Sequence, residues 1–415
     1  MNSGSLRVAV VTSRLDVGGT ERHIVRILPA LQRRGLDVAL YLMERGGPLE
    51  AEIAALGIRI AGPLHRGALH WPILHWPILH WPMATLDLAR WLRRERPAVV
   101  HFFLPRPYLF GSLAAGLAGH RRRLMSRRSL TDYRAKYPLL GAVERYLHRR
   151  TFGILGNSQA VIDQLTTEVD DRRKLALIHN GIEMPSPVFT NGRAQTRALL
   201  QIPGDALVVS VVANLIAYKG HRDLIEALAP IRDRLPKSWR LLVIGRDDGI
   251  GSELKGLAQH FGMTDNIMWL GERPDVEELL SASDIFVLPS HQEGFSNALL
   301  EAMAARLPAV ATAVGGNIDA VADNETGLLV PVRDPRALAA AILRLAQNAD
   351  LRRSFGDAAR RRVEERFSLQ ACVDRYEILY RALGEADPPP LSEILSDGTS
   401  AIRSDAIAVA RERAI

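Results

Sequence analysis

The amino-acid sequence predicts an α/β protein of two doubly wound parallel-sheet domains facing across a cleft. Three observations lead there. The chain has 415 residues, a length for two or three domains, each with its own core. Short β-branched runs alternate with amphipathic helical patterns along most of it, which calls for parallel sheets covered by helices on both faces. The alternation breaks once, at a polar stretch from Pro185 to Ala194, and then restarts.

In the first half the strands are Val8–Thr12, Val38–Leu42, Val99–Phe103, Arg123–Ser126, Phe152–Gly156 and Leu175–Ile178. Helical patterns lie between them, for example at Glu21–Arg34, Ala84–Arg94 and Tyr137–Arg150. Asn180-Gly181 is a turn signal. Residues 1–184 therefore read as an amino-terminal domain and 185–203 as a linker. The second half has strands at Leu207–Ala213, Leu241–Gly245, Ile267–Leu270, Ile285–Pro289, Ala309–Ala311 and Leu328–Val330. Helices fall at His221–Ile231, Glu253–His260, Val276–Ala282, Asn297–Ala305 and Pro335–Gln347, so 204–365 reads as the second domain. Helical pattern continues to about Leu383, with 366–385 expected to return toward the first domain. Ala386-Asp387-Pro388-Pro389-Pro390 breaks it, and 386–415 reads as a weakly ordered tail.

Composition narrows the function. Apolar residues make up 47% and charged residues 24%, the balance of a globular protein rather than a disordered one. The single cysteine, Cys372, excludes an intramolecular disulfide and a Cys-rich zinc site, and fits a reducing compartment. Leu6-Arg7-Val8-Ala9-Val10-Val11-Thr12 reads as a buried strand, not the basic-then-apolar layout of a signal peptide. No apolar stretch reaches the ~18 residues of a spanning helix. The longest, Tyr108 to Gly119, follows Arg106 and is too short. The expectation is a cytoplasmic protein, peripheral wherever it meets a membrane. Three of the six tryptophans, Trp71, Trp76 and Trp81, fall in a pentapeptide repeat between Ile60 and Ala84. A proline every fifth residue makes it an exposed loop. It reads either as a duplication without function or as a set of rings for a membrane interface or acceptor sugars.

The window Asp284 to Ala304 carries the most chemistry. A buried strand runs into a loop, and the loop opens a helix. Gly294 lets backbone approach a ligand closely. The free N–H groups around Phe295, Ser296, Asn297 and Ala298 form a seat for phosphate. Glu301 lies in the second helical turn among Leu299, Leu300, Ala302 and Met303, company in which a carboxylate needs hydrogen-bond donors. The two hydroxyls of a ribose would supply them. Glu293 stands in the loop, where it could face a sugar. Taken singly, Glu301 reads better as a surface residue and Glu293 as a loop charge.

Glu293, seven intervening residues and Glu301 match the E-x7-E motif of retaining GT-B glycosyltransferases, and the surroundings resemble family 4, the group 1 glycosyltransferases. The resemblance runs from Val8 to about Leu383. Gly18-Gly19-Thr20-Glu21 after the first strand is similar to the family's acceptor-domain loop. Lys219-Gly220-His221, Gly271-Glu272-Arg273 and Val314-Gly315-Gly316 also stand at strand ends as the family's motifs do. The resemblance implies roles. Glu301 would hold the ribose, and Glu293 would stand beside the reacting carbon of the donor sugar. Gly294, Phe295, Ser296 and Asn297 would give backbone contacts to diphosphate and sugar. Lys219 would neutralise the departing diphosphate; its competing reading is a surface lysine at a helix start. Gly18 and Gly19, with Thr20 and Glu21, would approach the donor diphosphate and the acceptor. Arg273 would lie along the nucleobase.

The sequence departs from the family pattern twice. Asn214 stands where relatives often carry a second cationic residue, so Lys219 acts alone or Arg246, beside Gly245 at a neighbouring strand end, assists at the donor site. Phe103 stands where many relatives have the second histidine of His-x-His. His101 then has two readings, a catalytic group or a strand cap. The implied activity is retaining transfer of a sugar from a nucleotide-diphosphate sugar to a saccharide or lipid-linked acceptor, in cell-surface polysaccharide or glycolipid synthesis. The nucleotide-sugar is a substrate, so no cofactor is implied. No Asp-x-Asp is placed to hold a divalent ion, so no metal is implied. Asn214 and Phe103 leave one alternative, a non-catalytic nucleotide-sugar-binding protein. A dinucleotide-dependent dehydrogenase is disfavoured because Val17-Gly18-Gly19-Thr20-Glu21-Arg22 lacks G-x-G-x-x-G.

The net charge of +7 is concentrated between His120 and Arg150, in His120-Arg121-Arg122-Arg123, Arg127-Arg128, Arg134, Lys136, Arg145 and His148-Arg149-Arg150. Leu139, Leu140, Val143, Tyr146 and Leu147 recur there at helical spacing. The stretch reads as the solvated face of a helix or as a surface for anionic lipid headgroups or a lipid-diphosphate acceptor. Without a recognition motif or an aromatic ladder it does not read as a nucleic-acid site.

Overall fold

A computed structural model describes residues 5–63, 80–130, 138–185 and 192–395. The chain forms two compact units. Ile182–Ser368 is one; the residues before it and those from Leu369 onward make the other.

The first unit is built on a seven-stranded parallel sheet. Its strands are β1 (Arg7–Thr12), β2 (Asp37–Leu42), β3 (Arg59–Ala61), β4 (Val99–Phe103), β5 (Arg123–Arg127), β6 (Gly153–Gly156) and β7 (Leu175–Leu177), in the order β3-β2-β1-β4-β5-β6-β7. Alternation sends Val8 and Val10 into the core on one face, with Val38, Leu40 and Val99. Ala9 and Val11 enter the other, with Tyr41, Val100 and Phe102. The helices Gly19–Arg33 and Leu369–Gly384 pack together, and Ile24, Leu28, Tyr376 and Tyr380 belong to the first of these cores. The carboxyl-terminal helix is thus part of this unit's interior.

The second unit has a six-stranded parallel sheet. Its strands are β8 (Val208–Val212), β9 (Arg240–Ile244), β10 (Ile267–Gly271), β11 (Ile285–Leu288), β12 (Ala309–Thr312) and β13 (Gly327–Val330), in the order β10-β9-β8-β11-β12-β13. In both sheets the order reverses once, between β1 and β4 and between β8 and β11. A reversal leaves a crevice at the carboxyl ends of its two strands, because the connections leave in opposite directions.

Several elements lie outside the ranges named from sequence, among them the helices Glu50–Ala55, Pro105–Leu117, Gln159–Thr166 and Asn317–Ala320, and three of the others show why. Strand β3 is short and sits on the sheet edge. The helix Arg193–Leu199 falls inside the expected linker. It docks through arginines rather than an apolar stripe. Arg193 and Arg197 each donate to the Asp284 carboxylate, at 2.6 and 2.8 Å, and Arg197 also donates to the carbonyls of Ala282, Gly204 and Ala206. The short helix Leu391–Ile394 falls inside the expected tail; Leu391 is buried and packs against Gly153.

The basic stretch divides in a way its composition does not show. Arg127, counted among its cations, is fully buried. It donates to Glu144 Oε1 at 2.6 Å and to both oxygens of Glu168 at 2.8 and 2.6 Å. His148 is buried beside them, with Nε2 4.0 Å from a carboxylate oxygen of each glutamate and Nδ1 2.9 Å from the Tyr108 hydroxyl. Among the described residues, Glu144, His148 and Glu168 are the one trio close enough to share a metal ion, but the Arg127 guanidinium already bonds both carboxylates. Arg128 is buried as well. Arg121, Arg145, Arg149 and Arg150 remain exposed. Arg134 and Lys136 lie outside the described residues, as does most of the tryptophan repeat; His80-Trp81-Pro82 begins the helix His80–Glu95.

Candidate functional site

The crevice between β8 and β11 brings together the two residues that the sequence marks most strongly. Strand β8 leads through a short loop to Lys219, and β11 leads to Glu293. Lys219 Nζ donates to Glu293 Oε1 at 2.6 Å. Both side chains are largely buried, so solvent screens the pair poorly. Ser290 Oγ donates to the same carboxylate oxygen at 2.7 Å. Ser290 is fully buried, and its own carbonyl accepts from Thr312 Oγ1 at 2.5 Å. Neither residue was singled out from sequence; the signal for Ser290 was its place three residues before Glu293 at a strand end.

Backbone contacts fix the loops. Gly220 has φ +72° and closes on Pro289, where an added Cβ would lie 1.9 Å from the Pro289 carbonyl oxygen. Gly315, with φ +49°, leaves no room over the Glu293 carbonyl. Gly316 N–H donates to the Gly294 carbonyl at 3.0 Å. These glycines let three strand-end loops stack on one another. His291 ties the same loops together. Its N–H donates to the Tyr218 carbonyl at 2.7 Å, and its Nε2 lies 2.8 Å from Asp223 Oδ2.

The helix Asn297–Ala304 begins directly after this loop. Ser296 caps it, accepting from the Leu299 N–H at 3.3 Å. The Phe295 ring is buried against Phe367, with centroids 5.4 Å apart, so only its backbone serves the loop. Glu301 is half-buried one helical turn on from Asn297.

The remaining predicted donor residues line the same sheet edge farther out. Gly245 ends β9 at φ +151° and passes close over the Ala213 carbonyl. Arg246 is bound to Asp248 through Nε at 2.6 Å, and Asn214 donates to the same carboxylate at 3.1 Å. Asp248 thus already holds the cation expected to stand in for the missing one. Arg273 follows the edge strand β10 and is held bidentate by Asp275, at 2.7 and 2.6 Å. It stands two strands from β8, about 10 Å.

In the first unit, Gly18 caps the helix Gly19–Arg33. An added Cβ on Gly18 would lie 2.4 Å from a Glu21 carboxylate oxygen, which packs back over the helix start. Burial raises the Glu21 pKa. Thr20 follows in the first turn. His101 is different from its catalytic reading. It lies inside β4, fully buried, with Nδ1 2.7 Å from the Tyr380 hydroxyl and Nε2 2.8 Å from Ser126 Oγ. Burial, and secondly the charge of Arg128, push its pKa down to about 3. Both nitrogens are taken by neighbours in the core, which is a packing position.

Two doubly wound parallel sheets, each with one reversal of strand order, define an α/β protein of the GT-B class. The chain matches two family models, Glycosyltransferase Family 4 over 17–184 and Glycosyl transferases group 1 over 192–362. The chain belongs to the group 1 glycosyltransferases, and it is a glycosyltransferase. It is 27% identical over 295 residues to the capsular polysaccharide biosynthesis glycosyltransferase CapM of Staphylococcus aureus, covering 69% of this chain and 77% of that protein. It is 26% identical over 296 residues to the N-acetyl-alpha-D-glucosaminyl L-malate synthase of Bacillus anthracis, covering 71% and 77%. The crystal structure of Anabaena Alr3699/HepE in complex with UDP shares the fold, with a TM-score of 0.78, 18% identity, and coverage of 91% of this chain and all of that one.

Proposed function

We propose that the protein transfers a sugar, with retention, from a nucleotide-diphosphate sugar to a saccharide or lipid-linked acceptor in cell-surface polysaccharide or glycolipid synthesis. The Lys219–Glu293 pair at the β8/β11 crevice carries this reading. An ammonium has three N–H donors, so Lys219 can keep one on Glu293 and turn others to a diphosphate. The anomeric C–O bond breaks with its electron pair leaving on the diphosphate, where Lys219 and the N–H groups of Phe295 to Asn297 stabilise the charge. The acceptor oxygen bonds to the same face, and its proton passes to the departing phosphate oxygen. Glu293 stands beside the reacting carbon and Glu301 takes the ribose. Arg273 and Arg246 flank the nucleotide with Asn214 and Gly245, and Gly18 to Glu21 meet the acceptor side. His101 has no step. UDP is the first nucleotide to test, because the Anabaena HepE structure is a complex with it. We take the reaction to be metal-independent, with the Lys219 ammonium as the positive charge that meets the diphosphate.

The test is UDP-sugar turnover followed by proton NMR in EDTA. The expected first product keeps the donor's α configuration. An inverted product, or complete loss of turnover in EDTA, would overturn this mechanism.

We also propose that the first unit docks on anionic membrane. The helix Pro105–Leu117 packs against the helices His80–Glu95 and Pro138–Arg150. Together they expose Met83, Leu86, Leu113, Leu117, Leu140, Val143 and Tyr146. Arg106, Arg121, Arg145, Arg149 and Arg150 are exposed on or beside the same helices, and the Arg150 guanidinium stacks over the Tyr146 ring at 5.0 Å. Apolar burial together with about 1 kcal/mol per basic residue favours such a surface. Leu113→Glu/Val143→Glu is expected to cut sedimentation with phosphatidylglycerol vesicles by about tenfold or more. Unchanged sedimentation would remove this part of the proposal.

A further inference from the structure

We infer that Arg128 forms an oxyanion-binding subsite in the first unit, for a phosphate or carboxylate group carried by the acceptor. The inference rests on the transferase reading only in calling the ligand an acceptor. The observation is a contrast between two successive arginines at the end of β5. Arg127 is buried and neutralised by two carboxylates. Arg128 is buried too, at 8% exposure, yet among the described residues no carboxylate pairs with it in direct contact: Glu21 acts on it only through space, and its side-chain bonds go to the neutral Asn180 and Tyr376. Its guanidinium donates to the neutral Asn180 Oδ1 at 2.5 Å and stands 5.9 Å over the Phe103 ring. Asn157 Nδ2 donates to its carbonyl at 3.3 Å. A buried guanidinium with no carboxylate in contact is costly to fold.

The surroundings keep that charge in place. Burial lowers the Arg128 pKa, offset in part by Tyr376, Cys372 and Glu21. His23 and His101 are buried nearby and held neutral, first by burial and then by the Arg128 charge. Asn180 follows β7 and Asn157 follows β6, so the site sits at the carboxyl edge of the sheet, where doubly wound sheets take ligands. A planar fork of N–H donors suits phosphate and carboxylate alike.

The test uses the full chain in a Lys219→Ala background, which removes the cation of the second unit. Binding of inorganic phosphate and of malonate is measured by calorimetry, with thermal unfolding alongside. Arg128→Met is expected to weaken binding of at least one anion by about tenfold or more, the loss of a charge-assisted hydrogen bond. Without ligand, that variant should melt no lower than its parent, because a buried unpaired charge has gone. The anion showing the larger Arg128-dependent effect identifies the acceptor group. Equal binding of both anions with and without Arg128 overturns the inference. If Arg128→Met fails to fold, Arg128→Lys decides: weaker anion binding supports the subsite, and unchanged binding overturns it. Wild-type UDP-sugar turnover is read separately, so failure of the transferase reading is distinguishable from failure of the subsite.

Discussion

Lys219→Ala is expected to lower kcat/KM for UDP-sugar turnover by about 10²–10³-fold. The physical reason is the charge that appears when the sugar leaves. A diphosphate anion must be stabilised in a crevice from which water is largely excluded, and there a fixed ammonium acts more strongly than in bulk solvent. The variant also leaves Glu293, a buried carboxylate, with Ser290 as its one remaining side-chain donor. Lys219→Arg should recover part of the activity, since it restores charge but not the compact shape of the ammonium. The fall should appear in kcat more than in KM, because the interaction strengthens in the transition state. Turnover within threefold of wild type would show that Lys219 only braces the loop.

Arg127→Met is expected to destabilise the first unit by about 3–5 kcal/mol, the range for breaking a buried ion pair. The guanidinium and the Glu144 carboxylate are fully buried, and Glu168 nearly so. Without Arg127 the two carboxylates lose the bonds that it donates, in the core beside His148. The chain must then take up protons there or open. The loss should shrink as pH falls toward 5, because protonation removes the buried charge. Replacing Glu144 and Glu168 together with Arg127 by apolar residues of similar volume should return most of the stability. Denaturant unfolding followed by hydrogen exchange in β5 and β6 would report it. A loss under 1 kcal/mol would mean that the network is solvated.

Much of the fold was legible because buried parallel strands write themselves as short apolar runs. Val99–Phe103 is observed with the bounds predicted for it, and the other predicted strands shift by a residue or two at their ends. Three of the missed elements share a cause. Arg59–Ala61 is three residues on an edge, Arg193–Leu199 docks through guanidinium groups, and Leu391–Ile394 follows three prolines. None carries enough apolar periodicity to be seen.

The candidate site was legible as chemistry but not as contacts. A lysine and two glutamates at strand ends mark themselves, since charges beside apolar runs need a reason. Their partnership could not be read, because Lys219 and Glu293 are 74 positions apart and meet only through the pairing of β8 with β11. The departures were harder. Arg246 was a plausible second cation until Asp248 was found holding it, and His101 a plausible base until Tyr380 closed on its ring.

By itself the sequence determined the two doubly wound halves, the residues able to carry charge chemistry, and the family, because these follow from local periodicity and from an ordered set of short motifs, each within one strand-end loop. The tertiary structure alone decided which charges face ligand and which face one another. Arg127 and Arg128 are identical neighbours in sequence. One is neutralised by Glu144 and Glu168, distant in the chain, and the other is in contact with no carboxylate. That difference is set by long-range packing, which no local pattern records.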